Sequence, residues 1–137
     1  MKAFNAYLIF DGNTREAMTF YQQCFDAKLS MQTFAEAKVD APPGAENAVI
    51  HARLEKGQAI LKASDTMPGV PITQGNNFFV SIDCESVAET EKLFSAFSEA
   101  GKVIMKLENT FWGAYFGMLT DKFGIGWMFN CQHQKKG

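Results

Sequence analysis

One order of elements is written twice in this chain, and that duplication limits its possible folds more than any other feature. The first copy opens with Phe4 to Phe10, a run of β-formers that predicts a strand. A helix follows. Asn13 and Glu16 have capping-box spacing, in which the first side chain accepts from the third helical N–H and the Glu reaches back. Ala17, Phe20, Tyr21 and Cys24 then recur as one apolar stripe. Lys28 to Phe34 predicts a second strand. Residues 35–46, with Pro42-Pro43-Gly44 and no apolar period, predict a loop. Val49 to Leu54 and Gln58 to Ala63 predict a hairpin around Glu55-Lys56-Gly57.

Residues 64–75 are rich in turn-formers and read as a linker, after which the order returns. Asn77 to Asp83 predicts a strand, and Ser86 with Glu89 a second capping box. Thr90, Leu93, Phe94 and Phe97 give the helical stripe, which Ala100-Gly101 ends. Lys102 to Leu107 predicts a strand. Trp112 to Leu119 and Ile125 to Asn130 predict a hairpin around Asp121-Lys122-Phe123-Gly124, with Gly124 supplying a positive φ. Asn13-x-x-Glu16 matches Ser86-x-x-Glu89, and Gly57 matches Gly124. The expected fold class is therefore α+β: two βαβββ modules, one helix per module, forming a paired, curved, mostly antiparallel sheet trough. Strand positions from both halves would line that trough, a natural place for a ligand. The expected organisation is a single domain over 1–137, with module one about 1–65, a linker about 66–75 and module two about 76–132.

Composition excludes several functions. Lys plus Arg is 13 and Asp plus Glu is 15, so there is no basic excess of the kind that nucleic acid binding requires. The one basic cluster, Lys135-Lys136, reads as solvated. No apolar run approaches the ~18–20 residues of a membrane span, and the N-terminal stretch reads as a first strand rather than a signal peptide. Three widely spaced cysteines, Cys24, Cys84 and Cys131, form no C-x-x-C and point to a reducing, cytoplasmic setting. Thirteen Phe suit either a large core or an aromatic-lined pocket. The seven Met read as core filler.

Particular segments carry a family resemblance. They are Tyr7-Leu8-Ile9-Phe10 through Gly12-Asn13, Ala17 and Phe20-Tyr21; His51-Ala52 with Ser64-Asp65 and Met67-Pro68; and Thr110-Phe111-Trp112 with Phe116-Gly117, Asp121-Lys122-Phe123-Gly124 and Trp127. With these, the chain resembles the vicinal oxygen chelate superfamily, which includes glyoxalase I, bleomycin and fosfomycin resistance proteins and extradiol dioxygenases, and within it the PhnB-like branch. Proteins of that branch have been labelled 3-demethylubiquinone methyltransferases, yet this sequence has no Gly-rich strand-to-helix turn for such a cofactor. The resemblance implies a homodimer. It also implies a trough whose usual occupant is a divalent ion held by His and Glu, acting as a Lewis acid on two substrate oxygens. The family's ligand positions fall near Ala6, Leu61, Asn77 and Met128, and shifting each by one residue brings in no His, Asp or Glu. The expectation is thus no metal and no other cofactor.

Other residues are candidates for the trough. His51, on a strand among apolar neighbours, is either a sheet-face histidine or a general base. Glu108 is either an exposed strand-end carboxylate or a base at the trough mouth. Asp65 is either a turn-capping carboxylate or a ligand contact. Trp112, Phe116 and Trp127 are either core or an aromatic wall, and Tyr7 and Tyr115 offer hydroxyls. Asn77 is the polar residue at a former ligand position. Three functions remain open: a protein that binds a small molecule; a lyase, isomerase or dioxygenase-type enzyme using His51 or Glu108 as base or a non-standard metal site; and an interaction module whose trough is filled by its own side chains.

Overall fold

The computed structural model describes residues 1–132. Lys135 and Lys136 lie outside the described residues. The chain divides into two compact units, Met1–Thr73 and Gln74–Gly137.

In the first unit, residue alternation sorts a four-stranded sheet into a covered and an open face. The elements are β1 (Ala6–Phe10), α1 (Thr14–Phe25), β2 (Lys28–Thr33), α2 (Phe34–Ala37), β3 (Val49–Lys56) and β4 (Ala59–Asp65). The strand order is β1-β4-β3-β2, with β1 and β4 parallel and the other pairs antiparallel. Leu8, Phe10, Ala52, Leu54, Leu61 and Ala63 are buried on one face. The helix α1 packs on β2, β3 and β4 through buried Ala17, Met18 and Tyr21.

Two local expectations are corrected here. The side chain of Asn13 makes no capping hydrogen bond. The start of α1 is held instead by the Asp65 carboxylate, whose Oδ1 accepts from the Thr14 backbone N–H at 3.1 Å and from its hydroxyl at 2.7 Å. A full negative charge at the positive end of a helix is a stronger acceptor than an amide oxygen. The expected loop over 35–46 begins with the single-turn helix α2, which carries the reciprocal box. Glu36 N donates to Thr33 Oγ1 at 3.1 Å, and Thr33 N donates to Glu36 Oε1 at 2.9 Å. That backbone hydrogen bond holds the Glu36 carboxyl below its ordinary range.

The second unit repeats the plan with β5 (Val80–Asp83), α3 (Val87–Ser98), β6 (Lys102–Asn109), β7 (Ala114–Thr120) and β8 (Gly126–Gln132). Its order is β5-β8-β7-β6, and only β5 and β8 are parallel. Thr90, Leu93, Phe94 and Phe97 of α3 are all buried, as the stripe predicts. Phe97 meets Trp127 and Phe129 edge-on, with centroids 5.0 and 5.5 Å apart. Ser86 caps α3 by accepting from Glu89 N at 3.0 Å, whereas Glu89 bonds Glu85 N, one residue before the expected partner. After α3, Ala100 takes the left-handed conformation at φ 59°. Gly101 then passes so close to β7 that an added Cβ would run into the Thr120 carbonyl. Two four-stranded sheets, each with a helix on one face, are the α+β architecture that the repeat predicts.

Candidate functional site: the open sheet faces

The face of the first sheet away from α1 carries the polar side chains of β1, β4 and β3. The register builds it in rows. Tyr7 pairs with Lys62, and Lys62 with Arg53. In the next row, Ile9 pairs with Ser64, and His51 follows across β3, opposite Gln32 on β2. Tyr7 is 45% exposed and lies over the sheet toward His51, its hydroxyl 3.4 Å from the imidazole Nδ1. The rings are tilted at 31° with centroids 6.0 Å apart. The structure therefore brings together two of the expected residues, Tyr7 and His51. Among the described residues no carboxylate hydrogen-bonds to His51. Lys62 and Arg53 on this face escaped the sequence reading, because a lone cation on a strand reads as solvated until the register shows its neighbours.

Asp65 sits at the end of β4 with both oxygens engaged. Besides the two bonds to Thr14, its Oδ2 accepts from Val49 N at 2.8 Å. The carboxylate ties β4 to the start of α1 and the start of β3. It also borders a shallow cleft of about 230 Å³ that Gly12, Gly44, Met67 and Pro68 help to line.

The open face of the second sheet is softer. Met118 pairs with both Met128 and Met105, which makes a row of three methionines across β8, β7 and β6. Phe116 pairs with Asn130 and Glu108 in the neighbouring row, and Asn130 Nδ2 donates to Asp83 Oδ1 at 3.3 Å. Trp112, 54% exposed, packs edge-on to Phe116 and to Phe111, with centroids 6.1 and 5.0 Å apart. The reading of the methionines as core filler is corrected by this row. Met18 is fully buried, but Met105 is 49% exposed and Met118 and Met128 are half-buried. Strand parity placed them on the face that α3 does not cover.

The remaining candidates lie elsewhere. Trp127 is buried under α3, and its indole N–H donates to Asp121 Oδ2 at 2.8 Å. Tyr115 also lies on the helix side, donating to Glu91 Oε2 at 3.3 Å; burial, then the Glu91 charge, pushes its phenol up. Glu108 is exposed and pairs with Lys106 at 3.3 Å, a surface contact worth about 0–1 kcal/mol. Asn77 is exposed and precedes β5. Cys84, just after β5, is buried, and that burial pushes its thiol up.

The residues at the family's metal positions do not suit a metal. Ala6 and Leu61 are register partners, and Leu61 is buried in the helix-side core. Met128 offers a thioether. Among the described residues, no group of three or more His, Cys, Asp or Glu is placed to hold an ion. Imidazole and carboxylate ligands are what such an ion requires.

Paired βαβββ modules define the vicinal oxygen chelate class. Solved structures of that class share the fold, among them a glyoxalase/bleomycin resistance protein/dioxygenase family enzyme from Burkholderia phytofirmans PsJN (16% identity, TM-score 0.67, covering 94% of this chain and 97% of that one). Within the class, the chain belongs to the PhnB-like family whose model is described as 3-demethylubiquinone-9 3-methyltransferase and matches residues 2–129. It is 32% identical to Protein YjdN of Escherichia coli (strain K12), over 94% of this chain and 95% of that protein. It is also similar to the crystal structure of protein PA1353 from Pseudomonas aeruginosa, at 41% identity and a TM-score of 0.87 over 96% and 98% of the two chains. A PhnB protein from Bacillus cereus matches at 26% identity and a TM-score of 0.79, over 95% and 99%.

Proposed function

We propose that this protein binds a small molecule on the open faces of its sheets and does so without a family-type divalent ion. One observation carries the reading: the second module leaves Phe116, Met118 and Met128 with Trp112 as an apolar surface on the side that α3 does not cover. Aromatic rings and flexible thioethers are suited to a planar or apolar ligand of variable shape. The open face of the first module carries polar groups of its own, Tyr7 and His51. On the open face the neighbours of Ala6 and Leu61 are Tyr7 and Lys62, and together with the Met128 thioether they offer no carboxylate or imidazole, which supports the metal-free part. The fold gives the family's methyltransferase description no support, since each described sheet has four strands and one parallel pair rather than a doubly wound parallel sheet.

In this reading the protein works in the cytoplasm as a homodimer. Three free cysteines suit a reducing compartment. Edge strand β6 leaves Val103, Ile104 and Met105 44–49% exposed, a surface that a second copy would protect. The Tyr7–His51 contact favours a second reading, a lyase or isomerase in which the imidazole moves a proton; there, His51→Ala abolishes turnover.

Metal analysis of the purified protein, run beside a thermal-shift screen of small aromatic compounds, tests the proposal. The expected result is substoichiometric Ni, Zn and Fe, with at least one compound stabilising the fold. At a hundredfold excess over Kd, a ligand that binds only the native state adds about 2.7 kcal/mol. A stoichiometric metal overturns the metal-free part, and a screen without any stabilising compound overturns the binding part.

A further inference from the structure

We infer that the open face of the first module is an oxyanion subsite, so that the ligand carries a carboxylate or phosphate group. The inference deepens the proposed small-molecule binding and rests on it. Its basis is a local arrangement that packing alone does not favour. Lys62 and Arg53 are direct cross-strand partners on one face of the sheet. Like charges placed directly opposite one another destabilise a sheet. The single acid nearby does not relieve both. Glu55 Oε1 is 3.1 Å from Arg53 Nε, and in the ladder Glu55 stands opposite another cation, Lys28. Among the described residues Lys62 has no carboxylate partner. The face therefore holds three cations and one anion on a chain whose net charge is -2.

Neutral donors surround the cations. Tyr7 is the register partner of Lys62, Ser64 lies two residues along β4 on the same face, and His51 lies two residues before Arg53 on β3. An oxyanion seated over Lys62 would meet ammonium, guanidinium, hydroxyl and imidazole groups from three adjacent strands. The guanidinium suits such a group by its planar fork, and the ammonium as a point charge. A ligand anion there would relieve the Lys62–Arg53 repulsion, so the two cations face each other at little expense only when the subsite is filled.

The test uses the full-length protein and three probes: phenyl phosphate, benzoate and the neutral benzyl alcohol. Binding is followed by NMR shifts of Tyr7, His51 and the Met methyl groups, in the native protein and in Lys62→Met and Arg53→Gln. Both changes are at half-buried surface positions, and unchanged amide spectra confirm the fold. Losing one charge-assisted hydrogen bond weakens binding about tenfold or more. Phenyl phosphate and benzoate are expected to lose at least that factor in Lys62→Met, and to weaken as salt rises. Benzyl alcohol is expected to change in neither respect. If benzyl alcohol binds as tightly as the anions, or if Lys62→Met leaves the anions unaffected, the oxyanion inference fails while small-molecule binding stands. If none of the probes moves an open-face resonance, both fail.

Discussion

Replacing Asp121 with alanine is expected to lower stability by about 3–4 kcal/mol, a fall of roughly 10 °C or more in the melting temperature of a chain this size. The residue is only 3% exposed, yet its carboxylate serves three donors. Oδ1 accepts from Phe123 N at 2.8 Å and Ile125 N at 3.0 Å, which fixes the turn between β7 and β8. Oδ2 accepts from the Trp127 indole N–H at 2.8 Å, and that ring is 1% exposed under α3. Alanine removes the acceptor that all three donors share, at a place where water reaches poorly, and opens a void beside the largest ring of the core. Asn should do less harm, because it keeps one acceptor oxygen while turning an N–H2 toward a donor. Thermal melts, with near-ultraviolet circular dichroism reporting on Trp127, check both. An alanine variant within about 1 kcal/mol of the native protein would show that the turn and ring are held by packing alone.

The second large effect is expected at Asp65. Asp65→Ala should cost about 2–3 kcal/mol, by freeing Thr14 N, Thr14 Oγ1 and Val49 N together. Its signature is local as well as global. The first amides of α1 should exchange with solvent faster, since the carboxylate is what caps that helix. Thr14→Val, at a fully buried position, should produce a smaller version of the same change, because the backbone bond survives. This also separates the two sequence readings of Asp65. If the residue contacted ligand instead of holding the fold, Asp65→Ala would melt near the native temperature and lose binding only.

Much of the fold was legible because each module needs one helix stripe and alternating strands. Thr90, Leu93, Phe94 and Phe97 show this plainly: all four repeat at helical spacing, and all four are buried. The caps were less legible. Asn13 and Glu16 have the right spacing, but spacing cannot show that a carboxylate distant in sequence already occupies the helix end. Thr33 and Glu36 have the same spacing across the junction of the expected strand Lys28 to Phe34 and the expected loop over 35–46, and there the box does form. The candidate site was half legible. Tyr7 and His51 stood out by residue type, and the structure places them in contact. Met105, Met118, Met128, Lys62 and Arg53 did not stand out, because their meaning lies in which strands pair and in what register. Residue type also misled for Tyr115 and Trp127, whose polar atoms are engaged by Glu91 and Asp121 on the helix side.

The most direct measurement of whether the apolar face of the second module meets a ligand is a titration of protein labelled with 13C at the methionine methyl groups, using the neutral aromatic benzyl alcohol as the probe. Met118 and Met128 lie on the uncovered face of the second sheet, whereas Met18, on α1, is sealed between that helix and the first sheet and serves as an internal control. The account predicts saturable shifts at Met118 and Met128 with Met18 unmoved. Shifts confined to Met18, or no saturable shift at any methionine, would contradict it.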